Sequence, residues 1–263
     1  MHFIGAFRKV LNESCGSSKY SLPHPRRIGR ATLDEMYLVM LVYFQQFNQQ
    51  FNKISPRKEG LSMTTITTNT APSHLKQLFD VWLELWKPDV PEDELKRLFP
   101  LLENIGKTTE GEGRLPFAVI ARTPALTLAR RMEKVVLGGN TGRSYISDNR
   151  VSHLDVIPEG HYLMWDIEDG RAMRNIKPSV ATEQLRCDKR FGGTTEEGPA
   201  VAMKDSLVLR HHYMDLVGSR YDSDGLPCLC ELGVRPELFA VRDDGALPRS
   251  GSLSCGGRLG LGA

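Results

Sequence analysis

Apolar positions along the chain alternate between two periods, and the switches between them outline the elements. Leu75, Leu78, Phe79, Trp82, Leu85 and Trp86 recur at i, i+3, i+4 and i+7, which predicts one buried stripe on a helix with Ser73 as its N-cap. Pro88 ends that helix, and Pro91 opens a second, with Glu92, Asp93 and Glu94 set against its N-terminal dipole. Leu95, Leu98, Phe99 and Leu102 supply the second buried face, so the pair reads as a helical hairpin.

A Gly-rich linker, residues 106–114, leads into LPFAVIA, an apolar run of strand length. A helix through Leu126 to Val136, the turn GGNTGR and a short strand near Tyr145 complete a βαβ-like unit. That turn follows a helix and lacks GxGxxG or GK[ST] context, so it reads as a helix stop, not a phosphate loop. Tyr162 to Ile167 is a second strong strand. Short helices follow at Pro178–Leu185, at Thr195–Met203 with Thr195 as cap, and at Ser206–His211.

The C-terminal part reads as an antiparallel meander over 213–221, 226–234 and 237–241. An Asp224-Gly225 turn of the two-residue hairpin type sets its register. Counting outward, Tyr221 faces Cys228, Ser219 faces Cys230, and Arg220 shares a face with Glu231. The expected fold class is α+β: an N-terminal helical hairpin, then a mixed sheet ending in the meander. The expected domains are a helical hairpin and linker at 63–113 and a mixed α+β domain at 114–263. Residues 1–62 carry nine Lys/Arg against four Asp/Glu, a surplus of five that leaves −3 for the remainder of a +2 chain. They read as an unstructured or non-native extension, with Met63 as the expected start.

The matching text YLMWDIEDGR, TTEEGPAVA, LVGSRYDSDGLPCL and SGSLSCGGR resembles, in order and spacing, an uncharacterised bacterial family common in actinobacteria and classed only as a domain of unknown function. The resemblance spans about residues 75–263 and is clearest over 162–261. It implies a small intracellular α+β protein with a C-terminal sheet, and it implies no reaction. One departure stands out: family members carry a tryptophan-rich segment where residues 237–251 here read ELFAVRDDGALPRSG.

Composition narrows the chemistry further. Apolar content of 40%, charged content of 25% and a net charge of +2 are ordinary globular values and give no electrostatic case for nucleic acid. The longest apolar run, Met36 to Phe44, is far short of the roughly 20 residues of a membrane span. Five scattered cysteines do not form a secreted disulfide framework, so a cytoplasmic location is expected.

No GxSxG, HExxH or paired CxxC is present, and neither a metal nor a cofactor is expected. Cys228 and Cys230 lie two apart on one strand and read as buried thiols. The favoured function is a non-enzymatic binding module for a small anionic ligand or a protein partner. Its expected site residues are Ser219, Arg220, Glu231, Ser254 and Arg258, since arginine offers a fork of donors suited to carboxylate or phosphate. The alternative is a cysteine-dependent enzyme using Cys228, Cys230 or Cys255 with His211 or His212 as base.

Overall fold

A computed structural model describes residues 72–242 and 249–262. The extension expected at 1–62 lies outside the described residues. Helix α1 (Pro72–Trp86) buries Phe79, Trp82 and Trp86. It begins at Pro72, one residue before Ser73, the expected cap. The Trp86 indole donates to the Val119 carbonyl at 2.8 Å, tying the helix to the first strand. Helix α2 (Glu92–Lys96) is short, and a 3-10 turn at Phe99–Asn104 takes over the apolar stripe. Pro100 falls in the first turn of that segment, where its missing N–H is not needed.

The middle of the chain runs β1 (Arg114–Ile120), α3 (Leu128–Glu133), a small hairpin β2 (Val136–Leu137) and β3 (Asn140–Thr141), then β4 (Arg143–Ser144), β5 (Val151–His153) and β6 (Tyr162–Glu168). Next come α4 (Pro178–Cys187), β7 (Phe191–Gly192), α5 (Glu197–Lys204) and α6 (Val208–His211). Strands β8 (Tyr213–Asp215), β9 (Ser219–Tyr221), β10 (Gly225–Leu232) and β11 (Arg235–Arg242) follow. The last three are β12 (Ser250–Ser252), β13 (Ser254–Cys255) and β14 (Gly257–Gly260).

Two larger sheets result. In the first, β6 is central: β1 pairs it antiparallel, from Arg114 opposite Glu168 to Ile120 opposite Tyr162. On its other side lie β13 and β14, with Ser254 opposite Glu168 and Gly260 opposite Tyr162. The second sheet has the order β12-β8-β10-β11-β4, with β9 joining β10 to β5. Strands β1 and β4 thus belong to different sheets, so the expected βαβ-like unit does not form. Instead β4 pairs parallel with β11, placing Arg143 opposite Glu237.

Residues 250–260 connect the sheets. Strand β12 lies parallel to β8, and after the buried Leu253 the chain passes to β6. Gly251 makes the crossing possible: a Cβ there would stand 2.0 Å from the Gly170 carbonyl oxygen, and Gly170 itself has φ +109.

The meander departs from its expected register. Tyr221 pairs with Gly225, not with Cys228, across a three-residue loop in which Asp222 takes φ 54. Asp222 holds that geometry through its carboxylate, which accepts from the Arg150 guanidinium, and through its N–H to the Arg150 carbonyl at 2.8 Å. The single strand expected at 213–221 is two strands, because Leu216–Gly218 turn aside and the Gly218 N–H donates to Gly193 at 2.9 Å. Only glycine fits there, since a Cβ would meet the Gly192 oxygen at 2.3 Å. Strand β9 then finds its partner in β5, with Arg220 opposite Ser152.

Candidate functional site

Helix α5 begins with a reciprocal cap. The Thr194 hydroxyl accepts from the Glu197 N–H at 3.4 Å, and the Thr194 N–H donates to the Glu197 carboxylate at 2.9 Å. Thr194, not the expected Thr195, is the capping residue. Glu197 is fully buried and also accepts from the Tyr162 hydroxyl at 2.9 Å and from Arg258 through Nε at 2.6 Å and Nη2 at 2.9 Å. Burial works against its charged form, yet the Arg258 fork holds the carboxyl below its usual range.

The sequence-derived site residues are distributed around the molecule. Arg258 sits on Glu197, and Ser219 lies nearby, its hydroxyl 2.9 Å from His153 Nδ1 and accepting from the Thr195 N–H at 3.1 Å. Both therefore border the start of α5. Ser254 accepts from Arg190 Nε at 3.2 Å. Arg220 donates to the Val217 and Ser219 carbonyls, and Glu231 lies 3.7 Å from Arg210. The expected pairing of Arg220 with Glu231 fails with the register, since Tyr221 opposite Gly225 puts Arg220 level with Leu226, five residues before Glu231. At ~3.3 Å per residue that is roughly 17 Å of strand.

The three cysteines of the alternative reading sit where burial opposes ionisation. Cys228, Cys230 and Cys255 are buried, and burial pushes the Cys255 thiol up to about 12. Cys228 stands opposite Asp215, whose charge together with burial raises the thiol further from ionisation. Among the described residues no cysteine hydrogen-bonds a histidine. His211 is exposed, whereas His212 is fully buried with Nε2 2.8 Å from the Asp169 carbonyl oxygen. No group of three or more His, Cys, Asp or Glu among the described residues is placed to hold a metal ion. No helix of the described residues is long and apolar enough to cross a membrane.

A different group of residues forms a cleft of about 440 Å³ where the loop after β1 meets the start of α5, lined by Arg122, Thr123, Leu126, Arg131, Asp148 and Glu196. Arg122 is committed, with Nε 2.8 Å from Glu196 and Nη1 donating to the Pro158 carbonyl at 2.7 Å. One Asp148 oxygen accepts the Leu128 N–H at 2.9 Å at the start of α3.

Arg131 stands apart. It is 2% exposed, donates Nη2 to the Ala121 carbonyl at 2.7 Å, and lies 5.8 Å from the Trp86 ring. Its Nη1 and the Thr123 hydroxyl have no hydrogen-bond partner among the described residues. Burial draws the Arg131 guanidinium below the usual arginine range, while the charge of Glu196 nearby opposes the shift. Arginine nonetheless stays charged in proteins. The signal that marks it is periodic: Leu128, Arg131, Met132 and Val135 occupy i, i+3, i+4 and i+7, and all four are buried. A charged residue inside an apolar stripe identifies the position, whereas the adjacent Arg130 is exposed and pairs with Asp89 and Glu133, each at 2.8 Å.

Residues 86–227 match a family of unknown function (DUF5701), and the chain belongs to that family. The matched span contains every residue that lines the cleft, while Glu231, Ser254 and Arg258 lie beyond it. No curated protein and no solved structure matches the chain.

Proposed function

We propose that this domain is a binding module for a small anionic ligand, seated in the cleft over Arg131. The observation that carries the reading is that Arg131, a residue lining the cleft, has a buried guanidinium whose Nη1 makes no hydrogen bond among the described residues. Glu196 nearby and the Ala121 carbonyl offset part of the cost of burying that charge, and an anion on the remaining donor recovers more of it. Thr123 adds a hydroxyl donor on the same cleft. The cleft's size is at the lower end of the ~300–1,000 Å³ common for small-molecule sites.

Thermal shift with inorganic phosphate, sulfate and acetate tests the reading. At 100 times its dissociation constant a ligand adds about 2.7 kcal/mol of stability. At least one of the three anions should raise the Tm of the wild type. Arg131→Lys, which keeps the charge and loses the fork, should lose most of that shift. Thr123→Val, further from the core, should reduce it without unfolding the protein. A shift that survives both substitutions, or no shift with any of the three, overturns the proposal.

A further inference from the structure

We infer that the ligand of this cleft carries a cationic amine as well as its anionic group, making it a small zwitterion of the α-amino-acid class; the inference deepens the anion-site reading and rests on it. The charges around the cleft carry the argument. Two guanidinium groups and three carboxylates line it, those of Arg122, Arg131, Asp148, Glu159 and Glu196. The Arg122–Glu196 ion pair removes one of each sign.

What remains is one buried cation, Arg131, and two acids lining the same cleft. Asp148 has one oxygen engaged by the Leu128 N–H, and Glu159 makes no ion pair or hydrogen bond among the described residues. A simple anion is held by Arg131 but shares the cleft with two carboxylates, which weaken its binding. A ligand with an ammonium group a few bonds from its carboxylate answers both ends, the carboxylate on Arg131 and Thr123, the ammonium toward Glu159 and Asp148. Pro124 and Leu126 supply an apolar wall for a short aliphatic side chain.

The acidic end is held in position. Arg122 binds the Pro158 carbonyl at 2.7 Å, immediately before Glu159, and its own N–H donates to His161 Nδ1 at 2.9 Å, just after Gly160. The same arginine that neutralises Glu196 thus anchors both ends of the loop that presents Glu159.

The test uses three ligands of one carbon skeleton on the full chain, read by titration calorimetry: leucine, 4-methylpentanoate, which lacks the amine, and 3-methylbutylamine, which lacks the carboxylate. Inorganic phosphate is the fourth probe. Leucine should bind at least about fivefold more tightly than either truncated ligand, the value of one partly exposed charge contact. Glu159→Gln, a substitution at an exposed position, should weaken leucine by about the same factor and leave 4-methylpentanoate unchanged or tighter. Arg131→Lys should weaken both. If 4-methylpentanoate matches leucine, or if phosphate binds while leucine does not, the zwitterion inference is overturned and the anion site stands. If none of the four binds, both fall together.

Discussion

Glu197 shows what a single residue can be made to do by its surroundings. Its carboxylate is removed from water at the point where α5, β6 and β14 meet, and it accepts from a backbone N–H, a phenol and a guanidinium. Breaking such a pair by removing one partner leaves an uncompensated buried charge, at a cost of about 3–5 kcal/mol, whereas replacing both with apolar or neutral groups costs far less. Arg258→Met should therefore lower stability by about that amount in urea denaturation, and Glu197→Gln combined with Arg258→Met should recover part of the loss. Additive losses would show that the two residues act separately. Arg131 is the complementary case, a buried charge with one nitrogen, Nη1, that has no hydrogen-bond partner among the described residues.

At the scale of elements, the segment from β12 through β14 unites the two sheets, and its geometry depends on backbone-to-backbone contact. Gly251 approaches the Gly170 carbonyl so closely that no side chain fits, and neither neighbour is a flexible tip that could yield. Gly251→Ala should cost about 3 kcal/mol, the upper range for overpacking, while Gly262→Ala, with open space around it, should be close to neutral. Equal melting temperatures for the two variants would refute this account of the crossing. The broken strand at Leu216–Gly218 follows the same logic: the close approach of Gly218 to Gly192 detaches β9 from the long strand expected there and gives it to β5.

Across the whole molecule, one half-buried and one buried histidine, His153 and His212, contribute to the response to acid. Burial lowers the pKa of His153, near Glu196, Glu197, Arg122 and Arg258, and of His212, near Asp169, Arg171 and Arg174. The unfolded chain takes up these protons near its ordinary value of about 6.5, the folded chain only at lower pH. Stability is therefore highest above that value and falls as pH drops below it, until the folded histidines protonate too. Glu168, Asp169 and Glu237, all raised by burial, act in the opposite direction and favour the fold as pH drops toward the carboxylate range. The contribution of one histidine is isolated by difference: His153→Gln should show a shallower loss of stability between about pH 7 and pH 5 than the wild type. Parallel curves would remove His153 from the account.

Local pattern alone determined the α+β class, the buried stripe of α1 and the strands β1 and β6, because periodicity and apolar run length are properties of neighbouring residues. Tertiary structure decided the register of the C-terminal strands, the sheet to which β4 belongs, and the whole of the candidate site. The reason is distance along the chain. Glu197 meets Arg258 across 61 residues, and Glu196 meets an arginine on the loop after β1, so no local window contains both halves of either pair. The text LTLARRM holds a charge in a buried stripe, yet it does not say whether a carboxylate waits opposite. Only the fold brings Arg131 to a cleft wall and leaves its Nη1 without a partner among the described residues.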